Sequence, residues 1–147
     1  MRAFSYLLHP TQLETDGLAA SLKRYIEGFA RRTQLRAKLK TTGPVDEIPL
    51  PLQQALLRIV QEALANVHRH ACASRVLVNL SCSGRRVQLV ISDDGKGIRM
   101  DKGRWDATSA RLGVGIPGMK ARMRHFGGTL DVRSRPSGTM VHAVVSV

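Results

Sequence analysis

The chain has 147 residues, 43% of them hydrophobic, and a formal net charge of +12. That length suits about one domain with a core that needs no metal or disulfide staple, and the hydrophobic share excludes a disordered chain. Aromatics, at 4%, are too sparse for base-stacking platforms, no apolar run nears the roughly 20 residues of a membrane span, and no signal-peptide pattern opens the chain.

The positive charge favours a polyanionic partner: nucleic acid, nucleotide or an acidic protein surface. The cations thicken toward the end, at Arg99, Lys102, Arg104, Arg111, Lys120, Arg122, Arg124, Arg133 and Arg135. Cys72 and Cys82 have no metal-ligand spacing and read as reduced thiols of a cytosolic protein.

In chain order, residues 1–8 are apolar and stop at His9-Pro10, as the tail of a helix belonging to something upstream would. ETDGLAASLKRYIEGFARRT predicts a helix, with Leu18, Leu22, Ile26 and Phe29 at helical spacing and Asp16 placed to cap it. LRAKLK alternates as a strand. TTGPVDEIPLP is a loop punctuated by Gly43, Pro44, Pro49 and Pro51.

The clearest element is a helix from Pro51 to His70. Leu56, Ile59, Val60, Ala63 and Val67 form its apolar stripe, beside a polar one of Arg58, Glu62, Asn66, Arg69 and His70. Asn66 is a poor helix former in mid-helix. RVLVNLS and RRVQLVIS alternate as two strands around a Ser83-Gly84 turn. Gly95 to Leu112 lacks periodicity and predicts a long loop. GIPGMKARMRHFGG predicts a helix, with Pro117 in its first turn, Met119, Met123 and Phe126 inward, and Gly127-Gly128 ending it. TLDVRS and TMVHAVVSV alternate as strands around RPSG. This order predicts an α+β two-layer sandwich: a mixed, mostly antiparallel sheet with helices on one face.

Three stretches carry possible chemistry, each with a plain structural alternative. Glu62, Asn66 and His70 are four apart and stack on one helix face with Arg69 beside them. Carboxylate and amide oxygens suit Mg²⁺, and Arg69 and His70 suit phosphate, but a solvated helix face fits as well. SDDGKGI, residues 92–98, sets Asp93 at a strand end, where a carboxylate can accept bonds from an exocyclic amine. Gly95 and Gly97 would let a flat ring approach the backbone, and an ordinary Asp-Gly turn is the alternative. GVGIPGM, residues 113–119, brings glycines to a helix N-terminus, where backbone N–H groups favour phosphate. No P-loop pattern occurs, and no strand–helix–strand unit surrounds these glycines.

The order of these stretches, closed by SGT in the last hairpin, strongly resembles the ATP-binding domain of bacterial sensor histidine kinases, in the superfamily shared with gyrase, the heat-shock chaperone ATPase and mismatch-repair ATPases. The resemblance covers about residues 13–147. RIVQEALANVHRHA, SDDGKGI and GVGIPGM look closest to kinases of nitrate- and oxygen-sensing type, which pair with helix-turn-helix response regulators. WDATSARLG stands where many relatives have a phenylalanine-containing box, which fits a shorter lid.

The resemblance implies a Bergerat-type ATP-binding fold and specific roles. Asn66 would coordinate Mg²⁺, and Glu62 would position or deprotonate the attacking group. Arg69 and His70 would steady phosphates. Asp93 would bind the adenine amine, with Gly95, Gly97 and Ile98 shaping its pocket and Thr139 lining it. Gly113, Val114 and Gly115 would close on the phosphates, under a lid from Arg99 to Leu112. Such kinases phosphorylate a histidine followed by an acidic residue. His9, His68, His70, His125 and His142 all lack that neighbour.

The chain is therefore expected to be the cytoplasmic catalytic piece of a longer kinase. Residues 1–12 would be a remnant of the upstream dimerising region and residues 13–147 the catalytic domain. Its expected partners are ATP, the dimerising phosphoacceptor domain and a response regulator, with no direct nucleic acid and no membrane contact. The rival within the fold is a stand-alone ATPase-like or anti-sigma-type Ser kinase domain. The rival outside it is a basic nucleic-acid binder, whose affinity would fall steeply with salt.

Overall fold

A computed structural model describes residues 10–95, 100–101, 104–105 and 115–147. Helix α1 (Pro10–Thr33) leads into β1 (Arg36–Thr42), a single 3₁₀ turn (Val45–Glu47) and helix α2 (Leu50–Asn66), which runs on as a π turn (Val67–Ala71). The hairpin β2 (Arg75–Ser83) and β3 (Arg86–Asp93) follows. Then come two short strands, β4 (Met100–Asp101) and β5 (Arg104–Trp105), helix α3 (Gly115–His125), and the hairpin β6 (Thr129–Arg135) and β7 (Gly138–Ser146).

Five strands form one sheet in the order β1-β2-β3-β7-β6. β2 pairs with β3, β3 with β7 and β7 with β6, all antiparallel, while β1 runs parallel to β2. A parallel neighbour needs a crossover rather than a hairpin, and α2 supplies it. The strand alternation explains the layers. Val76, Val78 and Leu80 of β2, Val87, Leu89 and Ile91 of β3, and Val141, Ala143 and Val145 of β7 are buried beneath the helices. The other face carries Lys38, Leu77, Ser92, Met140 and Arg133 in one cross-strand row. The α+β two-layer sandwich expected from the sequence is the observed one.

The helical stripes meet that sheet face. Leu18, Leu22, Ile26 and Phe29 of α1, Leu56, Ile59, Val60 and Ala63 of α2, and Met119 and Met123 of α3 are all buried. Helix α3 ends as its sequence requires. Gly127 takes a positive φ of 77°, and the Gly128 N–H reaches the Met123 carbonyl at 2.8 Å, closing a Schellman motif.

The start of α1 corrects an expectation. Gly17 breaks the helical path with φ 86° and ψ 170°, and Asp16 does not cap the helix that follows. Asp16 pairs with Arg24 at 2.7 Å. The cap comes from 27 residues away: Asp46 of the 3₁₀ turn accepts the Ala19 N–H at 2.9 Å. A Cβ on Gly17 would stand 2.8 Å from the Asp46 Cγ, so the glycine makes room for this distant cap. The stretch expected to be one loop before α3 also holds the short β4–β5 ladder, in which Met100 pairs with Trp105.

Candidate functional site

Asn66 sits where α2 changes character. The α-helix ends at Asn66 and the π turn begins at Val67. Asn66 keeps helical dihedrals of φ -64° and ψ -41°, so the helical path runs through it into the π turn. Glu62 and Asn66 lie one turn apart within the α-helix, and the backbone of His70 belongs to the π turn. Arg69, in the same turn, is exposed.

The two adjacent aspartates at the end of β3 divide two tasks. Asp93 Oδ1 accepts the Gly95 N–H at 2.8 Å and the Thr139 N–H at 3.4 Å. Burial pushes its carboxyl above the usual range, against those two backbone donors. Asp94 turns back to the start of β2, where it accepts the N–H groups of Ser74 and Arg75 at 2.8 and 2.9 Å and the Ser74 hydroxyl at 2.8 Å. These bonds, led by the one from Arg75, hold its carboxyl down at about 2. Asp94 is a latch that fixes the strand ends. Asp93 is left to face the interior.

Asn66, Asp93 and Thr139 converge from α2, β3 and β7 on one slot, walled by Ala63, Val67, Ile91, Ile116, Val132 and Val141. Thr139 is buried, and its Oγ1 has no hydrogen-bond partner among the described residues. An orphaned hydroxyl beside a half-buried carboxylate, between apolar walls, suits a flat heterocycle with a polar edge. The slot holds only about 20 Å³ of free space, so a ring must widen it. Larger clefts of about 510 and 590 Å³ open at the β1–β2 end, yet neither is lined by an orphaned buried group.

Glu62 stands one turn before Asn66 and touches α3. Its Oε1 receives the Arg58 Nε–H at 3.0 Å and lies 3.9 Å from an Arg122 nitrogen. Its Oε2 is buried without a partner among the described residues. Gly115, the first residue of α3, is so near that a Cβ there would stand 3.2 Å from Oε2. The structure thus brings Glu62 to Gly115 and Asn66 to Asp93 and Thr139. Gly97, Ile98, Gly113 and Val114 lie outside the described residues, as does most of the expected lid, and the His70 side chain is likewise not described.

Sequence reasoning gave no role to Asp94, Arg58, Arg122 or Gly138. Arg58 left a signal as the i,i+4 neighbour of Glu62 on the polar stripe, and Gly138 left one as the glycine of SGT. It has φ 143°, and a Cβ on it would fall 1.9 Å from the Asp93 carbonyl oxygen.

Residues 52–147 match the family described as histidine kinase-, DNA gyrase B- and HSP90-like ATPases. The chain belongs to this family. Among curated relatives, the sensor histidine kinase MctS of Rhizobium johnstonii is 37% identical over 145 residues, which covers 99% of this chain and 31% of that protein. The chain spans about a third of the length of the curated relatives it matches. Among solved structures, the histidine kinase domain of the Erythrobacter litoralis EL346 blue-light activated histidine kinase superposes with a TM-score of 0.63 at 22% identity, covering 87% of this chain and 64% of that one. The catalytic domain of histidine kinase ThkA gives 0.60 at 15% identity, covering 90% and 91%. Those two likenesses establish the fold. The chain's curated relatives are sensor histidine kinases, and the chain corresponds to their domain of this ATPase family. No helix among the described residues is long and apolar enough to cross a membrane.

Proposed function

We propose that this ATPase-family domain binds ATP as its magnesium complex and donates the γ-phosphoryl group to a histidine on a dimerising domain, from which a response regulator is then charged. The observation that carries the reading is the convergence of Asn66, Asp93 and Thr139 on one apolar slot. Asp93 would accept the adenine amine, and the orphaned Thr139 hydroxyl would find a ring nitrogen or a bridging water. Gly95, Gly97 and Ile98 would shape this pocket. Asn66 would hold Mg²⁺ through its amide oxygen, a hard donor of the kind that ion takes, and when bound the ion neutralises phosphate charge.

Glu62, next to Gly115, would orient or deprotonate the attacking group. Arg69, His70 and the stretch Gly113, Val114 and Gly115 would hold the phosphates, the last at the positive end of α3. The transition state is loose, so this chain's share is positioning and electrostatic complementarity. On this reading residues 13–147 are the catalytic domain, which agrees with Leu13 being buried in the core, and residues 1–12 belong to the dimerising region. The location would be cytoplasmic, where ATP is at hand.

The test is transfer in trans. The chain is mixed with γ-labelled ATP, Mg²⁺ and the dimerising phosphoacceptor domain of the full-length protein. Acid-labile label on that domain, lost with Asn66→Ala, is expected. Label on serine, or ATP turnover with no transfer, would contradict the reading.

A further inference from the structure

Two of the buried polar atoms without partners belong to opposite sides of one ion pair. Glu62 Oε2 and Arg122 Nε are both buried and have no hydrogen-bond partner among the described residues, while Arg122 approaches Oε1 of the same carboxylate at 3.9 Å. Arg58, one turn earlier on α2, holds that same Oε1 at 3.0 Å. Two cations from two helices therefore converge on one oxygen, and the other oxygen has no partner among the described residues. The bare oxygen faces Gly115, at the N-terminus of α3.

We infer that Arg122 is a positioning residue for Glu62: with Arg58 it clamps Oε1 and so presents Oε2 as the open proton acceptor of the site. The inference rests on the role proposed for Glu62 above. Its physical basis is the cost of leaving a charged oxygen buried and unmatched, which a fold tolerates where that oxygen has a partner still to meet. A carboxylate swinging freely would spend little time aligned, whereas one fixed at Oε1 has its second oxygen in a defined place. Helix α3 touches Glu62 twice, at Gly115 and two turns later at Arg122, so the helix that would receive phosphate also orients the base. When water is the acceptor, its proton passes to Oε2, its oxygen bonds the γ-phosphorus, and ADP leaves with the electrons of the broken P–O bond.

Two measurements decide the inference. First, the arginine Nε–Hε resonances of the nucleotide-free chain are compared between wild type and Glu62→Gln. Arg58 and Arg122 are both expected to shift, and an unmoved Arg122 resonance would overturn the clamp. Second, ATP turnover and the dissociation constant for Mg-ATP are measured for Arg122→Ala, Arg122→Lys, Glu62→Gln and the double variant Glu62→Gln/Arg122→Ala. Arg122→Ala is expected to lower turnover about 10- to 100-fold with the dissociation constant little changed. Arg122→Lys should recover part of it, and Arg122→Ala should cost nothing further in the Glu62→Gln background. Equal losses in turnover and affinity, or full additivity with Glu62→Gln, would show that Arg122 does not act through Glu62. A wild type that binds no Mg-ATP would instead sink the functional reading, and the resonance comparison would still decide the contact.

Discussion

Gly138 lies against the backbone of Asp93, so close that a Cβ on Gly138 would fall 1.9 Å from the Asp93 carbonyl oxygen. The last hairpin thereby holds the strand end that carries Asp93, and Thr139, the next residue, donates its N–H to the Asp93 carboxylate. Gly138→Ala has no room and a positive φ of 143° to adopt. A loss of about 2–5 kcal/mol is expected from overpacking and left-handed strain together. In thermal denaturation this would appear as a melting point lower by about 6 to 16 °C. A fall of a degree or two would show that the hairpin does not hold this strand end.

Asp93 itself is expected to weigh against the fold near neutral pH. Its folded-state pKa is raised by burial. Such a group contributes most below its unfolded pKa, and that contribution is lost as pH rises through the folded value. Asp93→Asn keeps an acceptor for the Gly95 N–H and removes the charge. Urea denaturation at pH 7 should find the variant as stable as the wild type or more so, and a clear loss of stability would reverse this assignment.

Asp94 has the opposite sign. Its folded pKa, about 2, lies below the ordinary 3.8. Its contribution is present above the ordinary value and is lost as pH falls toward 2. Denaturation midpoints followed from pH 5 to pH 2 should drop less steeply for Asp94→Asn than for the wild type, from a lower plateau at pH 5. Parallel curves would mean that the latch to Ser74 and Arg75 contributes nothing.

The helix cap can be tested by a pair of substitutions. Asp46→Ala removes the acceptor of the Ala19 N–H and should cost about 1 kcal/mol. Asp16→Ala breaks only an exposed pair with Arg24 and should stay within about 0.5 kcal/mol of the wild type. Chemical denaturation compares them directly. A larger effect at Asp16 would restore the local cap that the sequence suggests.

These cases show what a sequence can reveal here. Periodicity exposed the buried stripes of α1, α2 and α3 and the alternation of β2, β3 and β7, because each is a local pattern facing one core. Motif order singled out Asn66, Asp93 and Thr139, and the fold brings all three to the lining of one slot. Asp16 looked like the cap because it is adjacent. Asp46 does the work because a 3₁₀ turn 27 residues later folds back onto α1, and adjacency cannot show that. The Asp93–Asp94 doublet looks symmetric in sequence, but β3 ends at Asp93, and Asp94 just beyond it turns to the backbone at the start of β2. Arg122 looked like one more cation of a basic segment. Only the packing of α3 on α2 sets it beside Glu62. The parallel pairing of β1 was hidden too, since alternation marks a strand and not its direction.

The most direct test of the central claim is a calorimetric titration of a non-hydrolysable ATP analogue with Mg²⁺ into this chain and into Asp93→Asn. Saturable, micromolar-range binding by the wild type is expected, weakened about 10- to 100-fold in the variant by loss of the charged acceptor for the adenine amine. Equal binding by both proteins, or none by a folded wild type, would contradict the assignment of the slot between Asn66, Asp93 and Thr139 as the ATP site.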